Sequence, residues 1–153
     1  MGLLKILTCV IGRIFLSIIF VIAGINKFLN WNSTEQYVLD TFAKWHFYSN
    51  NFLIESLMNL MASHIQIFLG IATFLELVGG LLVLIGVFSR IGALMLSVFL
   101  IPVTLIMHAF WVISGPEKDI QLVLFMKNIA ILGGVFMVAV FGSGFNLRKF
   151  NSY

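Results

Sequence analysis

Residues 65–87 read IQIFLGIATFLELVGGLLVLIGV. This apolar run is long enough for a helix that crosses a bilayer, at 1.5 Å of rise per residue. Its one acid is Glu76, near the middle. A carboxylate at that depth costs several kcal/mol unless another group pairs with it, so Glu76 implies an inward-facing polar partner on a neighbouring helix.

Working outward, three more runs of similar length appear, giving expected spans at about 9–28, 65–87, 91–113 and 120–141. Lipid offers no hydrogen-bond partner to an open backbone, so each span must be helical. The fold class is all-α, a bundle of four transmembrane helices in a single membrane domain over 1–153. The alternating ten-residue segments of a membrane β-barrel are absent. Composition agrees, with 61% of the 153 residues hydrophobic and only 10% charged, against about a quarter charged in a soluble domain. The apolar stretch 7–28 carries Arg13 and lacks a small-residue cleavage site, so it reads as a retained first span and not a cleaved signal. The connections differ in kind. Ser89-Arg90 is a tight turn and 114–119 a short polar loop. The segment 29–64 is long and partly helical, and its Trp31, Tyr37, Trp45 and Tyr48 suit the membrane–water boundary.

Lys5, Arg13, Arg90, Arg148 and Lys149 fall on one side of the expected bundle and Lys27, Lys44 and Lys118 on the other. By the positive-inside rule both termini of this multi-pass membrane protein are expected in the cytoplasm. The nine Lys and Arg form no basic stripe, which argues against nucleic acid as a partner. With Cys9 as the only cysteine, the chain cannot run dithiol chemistry or build a thiolate metal site by itself.

Helical spacing sorts the polar and small residues into stripes. These are Arg13, Ser17, Phe20, Gly24 and Lys27 in the first span, and Ala72, Glu76, Gly79 and Gly80 in the second. The third has Arg90, Ala93, Ser97, Thr104 and His108, and the fourth Lys127, Ala130 and Gly134. Small residues admit close helix contacts and ionisable ones avoid lipid, so each stripe should face the bundle interior. By helical rise, Glu76 should lie about 15 Å from the outer boundary, Lys127 about 10 Å and His108 about 8 Å, with Lys27 close to the boundary. Lys127 is therefore the expected partner of Glu76, with Asn128 or His108 nearby. Asn26 and Lys27 are the other polar candidates. A charged pair of this kind either builds a site or fixes helix register. Arg13 suits snorkelling to phosphates. Pro102 removes the hydrogen bond to the Val98 carbonyl, either bending the third helix beside His108 or improving its packing. No second histidine sits at a depth matching His108, which disfavours haem or metal.

Taken together, these segments resemble the DoxX family of small bacterial membrane proteins. The resemblance rests on residues 13–28 (RIFLSIIFVIAGINKF), on 76–90 from Glu76 through Gly79 and Gly80 to Arg90, on His108, and on Lys127-Asn128 with the glycines after them, including Gly142 and Gly144. At the end, Ser143 stands where the family often has proline, and Asn146-Leu147-Arg148 lacks its aspartate. The segment 31–64 is longer than the family's usual loop. The resemblance implies a membrane subunit of a redox system linked to quinone or sulfur chemistry, acting with a redox partner protein. Glu76 would then relay a proton, and Lys127, Asn128, His108, Asn26 and Lys27 would hold a ligand. Arg13, Gly24, Gly79, Gly80, Arg90 and Pro102 would be structural. Quinone is the cofactor class this reading admits, and no metal is expected. A homo-oligomer, a non-catalytic anchor for a soluble partner and a small-solute transporter are the alternatives.

Overall fold

The computed structural model describes residues 2–48 and 51–142, and they form six helices. In chain order these are α1 (Gly2–Leu29), α2 (Trp31–Tyr48), α3 (Phe52–Ser63), α4 (Ile65–Ile85), α5 (Ser89–Met107) and α6 (Pro116–Phe141). Among the described residues, four segments are long and apolar enough to cross a membrane: Ile6–Leu29, Ile65–Ile85, Ser89–Met107 and Pro116–Phe141. Their outer faces are consistent with lipid, since Phe15, Ile22, Phe28, Phe74, Val98 and Met137 are all exposed.

The order of packing around the bundle is α1, α4, α5, α6. Consecutive members of that series pack closely, whereas α1 and α6 barely meet. α4 and α5 are the central pair, with 33% and 39% of their spans buried, against 11% for α1 and for α6. Glycine sets this arrangement. A Cβ on Gly92 would lie 2.8 Å from the Gly79 carbonyl oxygen, and one on Gly79 would lie 3.0 Å from that of Gly92. Neither helix could come so close with a side chain there. Gly80 receives Phe20 and Val21 of α1, and Gly24 of α1 receives Leu77 of α4. The core that results is Phe20, Val83, Ala93, Leu96, Phe99, Leu100 and Val135.

The long connection between the first two spans is two helices. α2 follows α1 through the single residue Asn30, and α3 runs into α4 at His64. Their apolar faces meet around Phe42, Met58 and Ile65, with Val38, Trp45 and Ile106 packed alongside. α2 and α3 therefore cap the bundle end where α4 begins and α5 stops. Four polar contacts fasten this cap. Trp45 Nε1 donates to the Ile106 carbonyl at 2.8 Å, near the end of α5, where carbonyls lack helical partners. Trp31 Nε1 donates to Gln66 Oε1 at 2.7 Å, and Gln66 in turn donates to Glu35. Lys44 pairs with Glu117 at the start of α6. This last hydrogen bond and the nearby negative charge hold the Lys44 ammonium above the usual lysine range, though desolvation opposes them.

Several boundaries differ from those read in the sequence. Ser89 and Arg90, read as a tight turn, open α5, and the chain reverses at 86–88 instead. The third span was expected to reach Ile113, but α5 ends at Met107 with His108 as its C-cap. Residues 109–115 instead pack as a knot of aromatics in which Phe110, Trp111, Phe125 and Trp45 meet edge to face. The last helix starts at Pro116, not Ile120, with proline suited to the first helical turn and Glu117 and Asp119 beside it. At the other end, Gly86 closes α4 in the left-handed conformation (φ 85°). A side chain on Gly86 would run into the Arg13 guanidinium, and one on Gly142 into Arg90. Arg148, Lys149 and the glycine-rich exit beyond Gly142 lie outside the described residues.

Candidate functional site

Between the cap and the packed half of the bundle lies a cavity of about 720 Å³. Most of its wall is apolar and aromatic. The polar residues on it include Lys27 from α1, Glu76 from α4, His108 after α5, and Lys127 and Asn128 from α6. Thr34 and Tyr37 of α2 add hydroxyls from the cap.

Each of these is delivered by the local helix geometry. The α1 stripe faces inward as its spacing required: Ser17 is fully buried, Phe20 is 4% exposed, Gly24 is buried and Lys27 is half-buried. The α4 stripe does the same, with Glu76, Gly79 and Gly80 buried. In α5, Ala93, Ser97 and Thr104 are buried, and the two hydroxyls bond the carbonyls of Ala93 and Leu100 one turn back.

The charged partner of Glu76 is Lys27, not the Lys127 expected from depth. Lys27 Nζ donates to Glu76 Oε2 at 2.5 Å, and its ammonium lies 4.7 Å from the centre of the buried Phe99 ring. The reason is packing. α1 and α4 are held together by Gly24 against Leu77, which places Lys27, one turn beyond Gly24, beside the residue preceding Leu77. The lysine stem covers the depth difference, with the side chain 24% exposed against 5% for the glutamate. The ring face adds a second attraction for the cation.

Lys127 and Asn128 differ from this pair. Among the described residues neither side chain makes an ion pair or a hydrogen bond. Asn128 is only 7% exposed, and on the cavity wall its amide makes no hydrogen bond among the described residues. His108 is committed on one side, its Nδ1 lying 2.8 Å from Gln121 Oε1. In the neutral tautomer in which Nδ1 donates to that amide oxygen, Nε2 is free to accept.

The remaining expectations divide. Asn26 is exposed and lies off the cavity; its side-chain oxygen accepts from Asn30, so it braces the α1–α2 junction. Pro102 is inside α5 and on the cavity wall, where the missing N–H leaves the Val98 carbonyl unbonded within the helix. Of the α6 stripe, Lys127 and Ala130 are exposed and Gly134 half-buried; the buried line of α6 is Gln121, Asn128 and Val135. α6 packs closely only against α5, so a narrower and rotated face is covered. Gln121 was not singled out by spacing, although it lies in the first turn of the expected span 120–141. Trp45 was placed at an interface, but its bond to the Ile106 carbonyl depends on where α5 stops. Among the described residues, no group of three His, Cys, Asp or Glu could hold a metal ion.

Four membrane-length helices, a helical cap and a cavity lined by a charged pair define a small polytopic helical membrane protein. The family model of DoxX matches residues 8–109, and the chain belongs to that family. The match runs from α1 to just past α5, leaving Lys127 and Asn128 outside it. Two curated relatives extend over more of the chain. Inner membrane protein YphA of Escherichia coli (strain K12) is 25% identical over 134 residues, covering 88% of this chain and 82% of that protein. Inner membrane protein YqjF of the same organism is 27% identical over 134 residues, covering 88% and 83%. No solved structure matches the chain significantly.

Proposed function

We propose that this protein is the membrane subunit of a quinone-linked redox system, with the cavity beneath the α2–α3 cap as its ligand site. The observation that carries the reading is the pairing of a large apolar cavity with unsatisfied hydrogen-bond donors on one wall, Lys127 and Asn128. Such a site suits a flat ring with carbonyl oxygens and an apolar tail. A bound quinone would supply two-electron redox chemistry. The chain would supply the rest. The Lys127 ammonium and the Asn128 amide would donate to a carbonyl oxygen. His108 Nε2 would accept from a hydroxyl. Glu76, with Oε2 held by Lys27, would take up or deliver a proton at its other oxygen. The sequence carries no flavin fingerprint, haem ligand pair or dithiol, so electrons would come from a redox partner protein. The membrane would be the bacterial inner membrane, as the names of both relatives suggest, with both termini cytoplasmic and the cap on the opposite face.

The test is purification in mild detergent, organic extraction and identification of bound quinone, followed by titration with a short-chain quinone. The expected result is retained quinone in the wild type, lost in a Lys127→Met, Asn128→Leu double variant that still folds. A wild type that retains none and binds none in titration overturns the reading. If that protein instead holds a soluble partner, it acts as an anchor.

A further inference from the structure

Three of the four helix seams in the bundle are tight; the fourth, between α1 and α6, closes only over a short stretch. The closed stretch can be located. A Cβ on Gly134 of α6 would lie 3.2 Å from a Leu16 methyl of α1, and Val135 beside it is fully buried in the core. Where they meet, the two helices run in opposite senses, so moving from Leu16 toward the cap pairs Phe20 and Ala23 with Ile131 and Lys127. All four of these residues line the cavity. On α6, the line that faces the seam changes over the same distance: Gly134 is half-buried, whereas Ala130 and Lys127 are exposed. The helices therefore diverge from the Leu16–Gly134 contact toward the capped end, and the cavity lies in the fork. α2 crosses the capped end of that fork, from Trp31 beside α1 to Lys44 on Glu117 at the start of α6, and below it the fork is bounded by α1 and α6.

We infer that the α1–α6 fork is a lateral portal opening the cavity to the bilayer interior, so that the site takes a ligand already dissolved in lipid. This rests on the reading of the cavity as a ligand site and narrows it to hydrophobic molecules with one hydrogen-bonding head. The fork has the chemistry for such a ligand. The exposed Ile19 and Ile22 give it an apolar outer edge, half-buried Ile131 lines it, and Lys127 stands at the mouth as the first donor a polar head meets. On the opposite side, the cap is fastened by Trp45 to Ile106, Trp31 to Gln66 and Lys44 to Glu117, so entry from water would have to break these contacts.

The test needs no quinone and so stands apart from the ligand titration. In a Cys9→Ser background that is shown to elute as a monodisperse species, a bimane label is attached through Ala23→Cys or, separately, Ile131→Cys, and the protein is reconstituted into vesicles of phospholipid brominated at mid-chain. Ile22→Cys, on the lipid face, and Leu82→Cys, packed between α4 and α5, give the two reference levels. Quenching at Ala23 and Ile131 is expected close to the Ile22 level. Quenching at the Leu82 level at both sites would overturn the portal while leaving quinone binding to be decided by extraction. If one labelled variant does not fold, the other carries the result.

Discussion

The two halves of the bundle solve opposite problems. Toward the Gly86 turn, helices touch backbone to backbone through Gly79, Gly80 and Gly92, and the interior is filled by Leu96, Val83 and Val135 with no exposed surface. Toward the cap, the same helices spread apart, and ionisable and amide side chains stand around a cavity. In the first half small residues maximise van der Waals contact where lipid gives no hydrophobic drive to association. In the second, polar groups in hydrocarbon are tolerated because Lys27 and Glu76 satisfy each other and the rest face a cavity. A rigid half holds the register in which a soft half can build a site.

The largest effect should come from overfilling the tight half. Gly92→Leu is expected to abolish the monodisperse folded species in detergent, because its side chain would have to displace the Gly79 carbonyl and Leu82; a stable variant would remove the backbone contact as the basis of the fold. Next is Glu76→Gln, which leaves the Lys27 ammonium without its counter-charge. The cost should be about 2–4 kcal/mol in equilibrium unfolding, at or below that of a fully buried pair because Lys27 is part-exposed. Trp45→Phe removes the hydrogen bond to Ile106 and should cost about 1 kcal/mol, read as a lower thermal midpoint. Lys127→Met should change stability by less than about 0.5 kcal/mol, yet weaken quinone binding roughly tenfold, by removing one charged hydrogen bond. A large loss of stability there would mean that Lys127 belongs to the scaffold. The smallest effect is expected from Lys44→Ala, since its pair with Glu117 is about half exposed and such pairs contribute about 0–1 kcal/mol.

The sequence made one half of this comparison far more legible than the other. Spacing placed Ser17, Phe20, Gly24, Glu76, Gly79, Gly80, Ala93 and Ser97 on inward faces, and all eight are buried. Those positions lie in regular helices between close neighbours, where a period of 3.6 determines orientation. The capped half depends on which helices are neighbours, and spacing within one helix carries no such information. Depth alone favoured Lys127 for Glu76. Gly24 and Gly80, which mark α1 and α4 as neighbours, were the available signal for Lys27. Asn26 is one residue from Lys27, and one residue turns a helix by about 100°, enough to put it outside the cavity. The end of α5 was hidden because Phe110, Trp111 and Ile113 are apolar, yet Phe110 and Trp111 pack in an aromatic knot and not as a further helical turn. On α6 the Lys127 stripe was expected inside because ionisable residues avoid lipid and small ones pack closely, but α6 is closely packed against α5 alone, which covers a narrower face.

The pair at the centre of the cavity can be tested without any ligand. In a double-mutant cycle, Lys27→Met, Glu76→Leu and the combination are compared by equilibrium unfolding in lipid. A coupling energy of about 2 kcal/mol or more is expected, with the double variant more stable than either single one. Effects that add within about 0.5 kcal/mol would show that Lys27 and Glu76 do not meet inside the bundle, and the site built on them would be lost.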